Sequence, residues 1–285
     1  MFRLESPHGR MLELGGGPTR IMGVLNLTPD SFSDGGKDAD AGAAAARGEA
    51  LVAAGAEVLD LGGESTRPGH AKVTPAEQVR RILPVLTRLR PRVSVPISID
   101  TTRAEVASRC LDAGADWIND TSALQDDPEL ATVVARSRCP VVLMHQFVPA
   151  RTGAADEVGG ERLLHLIAAH LRARMAAAEH AGITREQILL DPGLGFGTTV
   201  KDALTIVAGI RQLAGLGRPL VVGPSRKSFL GAVTAQPVAA RAFATAASVT
   251  ALALAGVELV RVHDVAAMRD VVQVAAAIAR EVAHG

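Results

Sequence analysis

Short runs of β-branched residues and leucine alternate along the chain with longer stretches rich in Ala, Leu and Arg, at intervals of very roughly 30 residues, the size of a βαβ unit. The apolar runs are RIMGVLNLT, EVLDLGG, VPISIDTT, DWIND, PVVLMHQ, ILLDPG, PLVVGPS and LVRVHD, eight in all. Helical composition fills the gaps, near 39–55, 75–90, 103–114, 128–138, 159–182, 200–215, 237–256 and 264–283. Strands that alternate with helices predict a parallel sheet, and eight units predict an α/β fold closed into a (β/α)8 TIM barrel. Ahead of the barrel, Phe2-Arg3-Leu4 and Met11 to Leu14 flank Pro7-His8-Gly9, whose Pro and Gly suit a chain reversal. This predicts an N-terminal β-hairpin within 1–18, placed to cover the barrel's bottom, and a barrel over 20–283 in one domain of 1–285.

The polar residues fall where such a barrel does its chemistry, at the C-terminal ends of the strands. Asn26 ends the first run, Glu64 to Arg67 follow the second, Asp100 ends the third, and Asn119 with Asp120 ends the fourth. His145 ends the fifth, Asp191 the sixth, Ser225 to Lys227 follow the seventh, and Arg261 and His263 close the eighth. An Asp after a strand is commonly a helix N-cap, and Asp264 reads as one. Asn119 could tie loops together, Arg67 could be a solvated charge, His145 a satisfied core histidine and Phe32 a loop anchor. Asp100 and Asp191 differ, because each ends an apolar strand where an unpaired buried carboxylate would be costly. Ser225-Arg226-Lys227-Ser228 lies between a strand and a helical stretch, where free N–H groups favour an anion. Arg261 and His263 share one strand face at period two. GLGFG at 193–197 lacks the full glycine spacing of a dinucleotide site.

Composition narrows the classes. Thirty basic and thirty acidic residues cancel, and 2% aromatic content leaves few platforms for stacking bases, so no nucleic-acid partner is expected. The longest uncharged run, 242–257, falls short of the roughly 20 residues of a membrane span. Arg3, Glu5, His8 and Arg10 interrupt any signal-like apolar start, and two distant cysteines, Cys110 and Cys139, suit reduced thiols. A cytoplasmic protein is expected.

One segment exceeds what a turn needs. MGVLNLTPDSFSDGG at 22–36 runs from an apolar strand into a polar loop longer than the usual 4 to 6 or so residues. With GGESTRPG at 62–69, SIDT at 98–101, IND at 118–120, MH at 144–145, LDPGLGFG at 190–197, GPSRKSFLG at 223–231 and RVHD at 261–264, it resembles the dihydropteroate synthases, over nearly the whole chain.

The resemblance implies an enzyme that joins hydroxymethyl-dihydropterin pyrophosphate to para-aminobenzoate, giving dihydropteroate and pyrophosphate. It implies that Asp100, Asn119 and Asp191 read the pterin's amino-pyrimidine edge, with Lys227 on the ring's carbonyl side and Met144 and Phe196 against the ring. Phe32, Thr66, Pro68 and Ser228 would form the para-aminobenzoate pocket. Asn26, Thr66, Arg67, Arg261 and His263 would hold the pyrophosphate, Asn26 also Mg²⁺. The catalytic set implied is Asn26, Asp34, Arg67, Lys227, Arg261 and His263. Residues 28–36 would act as a mobile lid that orders after the pterin binds. A homodimer and a sulfonamide target are also implied. The QFVPARTG stretch after His145 departs from the family's usual Met- and Gly-rich loop. Two alternatives stand beside this reading: a methyltransferase that takes its methyl group from a folate, and a non-catalytic pterin-binding paralogue.

Overall fold

In the computed structural model, which describes residues 1–27, 37–64, 73–147 and 160–284, the chain opens with an antiparallel hairpin, β1 (Phe2–Glu5) and β2 (Met11–Leu14). Eight parallel strands follow: β3 (Arg20–Asn26), β4 (Val58–Gly62), β5 (Ile97–Asp100), β6 (Trp117–Asp120), β7 (Val141–Met144), β8 (Ile188–Asp191), β9 (Val221–Val222) and β10 (Leu259–Val262). They pair in sequence order, β10 returns to β3, and a parallel bridge from Leu190 to Leu220 joins β8 to β9 and closes the barrel. β9 is shorter than the PLVVGPS run suggests. Pro219 and Pro224 flank it and bring no N–H to a ladder.

The helices are α1 (Lys37–Ala53), α2 (Pro75–Leu89), α3 (Ala104–Asp112), α4 (Pro128–Ser137), α5 (Gly160–His180), α6 (Val200–Gly209), α7 (Ser228–Thr234), α8 (Ala242–Leu254) and α9 (Val265–His284). α7 is an addition to the eight expected. The 200–215 stretch turns 3-10 after Gly209, and 237–256 divides into a 3-10 turn at 238–240 and α8.

Strand periodicity sorts the apolar residues into two cores. Residues such as Ile21, Leu59, Leu61, Ile99, Ile118 and Val260 join the helices in the outer layer. Their neighbours at alternate positions, Met22, Val58, Trp117, Val142, Leu189 and Leu259, point the other way and form a separate inner cluster with Leu4 and Leu14 of the hairpin. The hairpin is therefore the plug of the barrel's bottom, as its position in the sequence suggested. Asp116, wholly buried, pins it there: its two oxygens accept from Arg10 at 3.0 Å and Arg90 at 2.8 Å, and one also takes the Ile97 N–H at 2.9 Å.

Candidate active site

The same alternation, continued towards the C-terminal strand ends, places Asn26, Asp60, Asp100, Asn119, Met144, Asp191 and Arg261 on the inner face. The register sets Asp100 beside Asn119 and Met144 beside Asp191. Gly62 stands between Asn26 and Asp100: a Cβ there would lie 3.6 Å from Asp100 Cβ and 3.9 Å from Asn26 Oδ1. Arg261 is the hub. Its Nε donates to Asp60 Oδ2 at 2.6 Å and an Nη to Asp100 Oδ2 at 2.9 Å, while Asn119 Nδ2 donates to the same Asp60 oxygen at 3.1 Å. Arg261 therefore keeps only part of its guanidinium for any ligand.

Burial dominates the electrostatics. It pushes Asp191 up to about 6, against the pull of the Gly193 N–H, Lys227 and Arg261. It raises Asp100 too, opposed by Arg261 and reinforced by Asp60 and Asp120. Lys227 falls to about 8, again through burial, aided by Arg261 and opposed by Asp191 and Asp100. These groups feel one another, so they share one low-dielectric space. It offers acceptors in Asp100, Asn119 and Asp191 and cations in Arg261 and Lys227, a pattern suited to a ligand with a donor-rich edge and an anionic part.

The loop after β8 is a support and not a nucleotide cradle. Gly193 has φ +73°, and a Cβ on it would come within 1.6 Å of the His145 carbonyl oxygen. Its N–H donates to Asp191 Oδ1 at 2.7 Å, fixing that carboxylate. Farther along, the Lys227 Nζ lies 4.0 Å from the centre of the Phe196 ring, and a Cβ on Gly195 would meet the lysine's Cδ at 2.8 Å. Ser225 Oγ lies 3.0 Å from His263 Nδ1 and accepts the His263 N–H at 3.2 Å, so the seventh strand's loop orients that ring. Ser228 is exposed as the first residue of α7.

Three expected mouth residues turn out to face elsewhere. His145 has the opposite parity to Met144, and its Nδ1 lies 3.0 Å from His170 Nδ1 of α5, so it is a core histidine, although its buried Nε2 makes no hydrogen bond among the described residues. Asp120 accepts from Ser122 and Leu124 and shapes its own loop. Glu64 accepts from Val73 and Gln78. Asp264 directly precedes α9 and its carbonyl accepts from Met268, consistent with a cap position. Phe32, Asp34, Thr66, Arg67 and Pro68, and the whole expected lid at 28–36, lie outside the described residues. Asp60 was not singled out from the sequence. Its signal was a charge in the middle of an otherwise apolar strand.

With this geometry in hand, comparison with known proteins identifies its kind. The pterin binding enzyme family matches residues 22–263. A dihydropteroate synthase from Synechocystis sp. is 41% identical over 280 residues, 96% of this chain and 95% of the relative. The dihydropteroate synthase of Xanthomonas albilineans solved with 4-aminobenzoic acid is 40% identical, superposes with a TM-score of 0.89 and covers 97% of both chains. Its complex with 7,8-dihydropteroate gives a TM-score of 0.86 at 38% identity over 97% of this chain and 98% of that one. Sequence and fold agree over the whole barrel, and the chain belongs to the pterin binding enzyme family, among its dihydropteroate synthases.

Proposed function

We propose that the mouth of the barrel is where a pterin pyrophosphate and para-aminobenzoate are joined, with the inner-face residues in the following roles. As a dihydropteroate synthase the chain gives dihydropteroate and pyrophosphate. Asp100, Asn119 and Asp191 accept from the pterin's donor edge, Lys227 donates on its carbonyl side, and Met144 and Phe196 contact the ring. The observation that carries this reading is the set of buried acceptors held in place by Arg261 and the Gly193 N–H. Departure of pyrophosphate leaves a resonance-stabilised pterin cation, so the site's task is to stabilise the leaving group's charge more than to activate the amine. Arg261, His263, Thr66 and Arg67 take that part, with Asn26. Asp34 completes the catalytic set. Phe32, Thr66, Pro68 and Ser228 form the para-aminobenzoate pocket, where a sulfonamide of similar shape would compete.

Mg²⁺ is the proposed cofactor, held through Asn26. Among the described residues no group of three or more His, Cys, Asp or Glu side chains is arranged to hold a metal. A single amide oxygen suits an ion that remains largely with water and phosphate oxygens. When bound, Mg²⁺ would neutralise charge on the pyrophosphate. Two further readings complete the proposal. The exposed apolar residues Val233, Val238 and Phe243 support a homodimer through the α7–α8 face. The buried free thiols Cys110 and Cys139 support a cytoplasmic setting; among the described residues no helix is long and apolar enough to cross a membrane.

The direct test is turnover of both substrates with Mg²⁺, with formation of dihydropteroate and pyrophosphate measured together. Asp191→Asn should weaken pterin binding by about tenfold or more, since an unpaired buried group costs on the order of 1 to 3 kcal/mol. Unchanged affinity by calorimetry would take Asp191 out of the pterin site.

A further inference from the structure

Asp60 does its work below the mouth. The carboxylate is fully buried in the middle of β4, and one oxygen, Oδ2, accepts both from Arg261 Nε and from Asn119 Nδ2. The other, Oδ1, makes no hydrogen bond among the described residues. Arg261 is held in turn by Asp100, so Asp60 cannot rotate without giving up an ion pair. An ion-paired carboxylate only accepts. The asparagine beside it is thereby left one orientation, with its NH₂ towards Asp60 and Oδ1 away from it, because the flipped amide would set two oxygens against each other in a buried space.

We propose that Asp60 is a positioning residue that fixes the donor and acceptor order Asn119 presents to the pterin, and so sets the enzyme's preference for a ring bearing an amino group over one bearing a carbonyl in its place. This rests on the reading of Asn119 as a pterin contact. Asp60 itself touches no substrate. It selects through the amide it holds, across three strands, β4, β6 and β10.

The probes are 6-hydroxymethylpterin and 6-hydroxymethyllumazine, in which a carbonyl replaces the 2-amino group, titrated by calorimetry into the whole enzyme. Wild type should favour the pterin by roughly tenfold to a hundredfold, the scale of one unpaired buried group. In Asp60→Leu the Asn119 amide is free to turn, and the preference should fall by about fivefold or more. Asp60→Asn should keep it within roughly threefold, because Arg261 still demands an oxygen at the Oδ2 position and the new NH₂ falls where Oδ1 had no partner. A packing role would weaken both ligands alike and leave the ratio in Asp60→Leu unchanged, which would overturn the proposal. If Asp60→Leu does not fold, Asp60→Ser decides. A hydroxyl can donate as well as accept, so the Asn119 amide is again free to turn and the preference should fall by about fivefold or more. An unchanged ratio there would sink the assignment. Asn119→Leu separates the two levels: undiminished pterin binding there overturns the reading of Asn119 itself, whereas weakened binding with an unchanged ratio in Asp60→Leu overturns only the role of Asp60.

Discussion

Asp191 keeps only 8% of its surface in contact with solvent, and burial holds its pKa near 6 against 3.8 for the free group. Two consequences of opposite sign follow for the empty and the occupied enzyme. Between about pH 4 and 6 the folded state binds a proton that the unfolded state has released, so the empty enzyme loses stability as pH rises through that window. Asp191→Asn should remove its share of this slope, leaving that of the similarly raised Asp100, and stabilise the empty protein at pH 7 by up to about 3 kcal/mol, measurable in urea melts at pH 5 and 7. Pterin binding needs the ionised acceptor and therefore strengthens over the same range. Calorimetric affinity for 6-hydroxymethylpterin should rise with pH and level off only once Asp100, also raised by burial, has ionised, with one proton fewer in the slope of Asp191→Asn. A flat profile in wild type would show that Asp191 binds as the acid. Asp100, Asn119 and Asp191 were legible in the sequence because each polar group ends an apolar run. Asp60 was not, since a charge inside EVLDLGG signals function only once Leu59 and Leu61 are known to face outward and Asp60 inward.

Elements position these residues through close backbone contact as much as through side chains. Strand parity was enough to separate Asn119 from Asp120 and Met144 from His145, yet the sequence alone did not say which member of each pair faced in, because both ended a strand. What settled it was packing: His145 meets His170 of α5, and Asp120 closes its own loop. The loop after β8 was legible as glycine-rich but not as a clamp, since the other half of the clamp, the β7 end, is 48 residues earlier in the chain. Gly193 lies against the His145 carbonyl, whose own N–H is already donated to the Asp191 carbonyl. Gly193→Ala would therefore combine left-handed strain of about 1 to 2 kcal/mol with an overlap that the paired backbone cannot relieve, for a total on the order of 3 to 5 kcal/mol. Gly9→Ala is the control. It has a similar φ of +75° but nothing within 4 Å of the added methyl, and should cost about 1 kcal/mol. Equal shifts of the two in denaturant midpoint would mean that the β8 loop moves freely with respect to β7.

At the scale of the molecule, the hairpin closes one end of the barrel and the chemistry occupies the other, so a further contact has to use the helical wall. That wall is uneven. On the α7–α8 side, Val233 is 60% exposed, Val238 46% and Phe243 90%, and on α9, which packs against α8, Val274 and Ile278 are 60% and 47% exposed. Exposed apolar residues of this kind on a protein with no net charge favour self-association, because little long-range repulsion opposes it. Phe243 is the natural anchor. A phenylalanine can bury about 150 to 250 Å² at a protein contact, and such aromatics commonly carry 2 kcal/mol or more of an interface's binding energy. Wild type should therefore sediment as a dimer at micromolar concentration, and Phe243→Asp should weaken association by roughly thirtyfold or more, moving the species towards monomer. The substitution lies outside the inner face of the barrel, so pterin affinity measured on the same samples should stay close to wild type. A monomeric wild type would remove the dimer altogether. A Phe243→Asp variant that remains fully dimeric would instead move the interface away from α8, to a part of the wall where the exposed apolar residues of this face take no part.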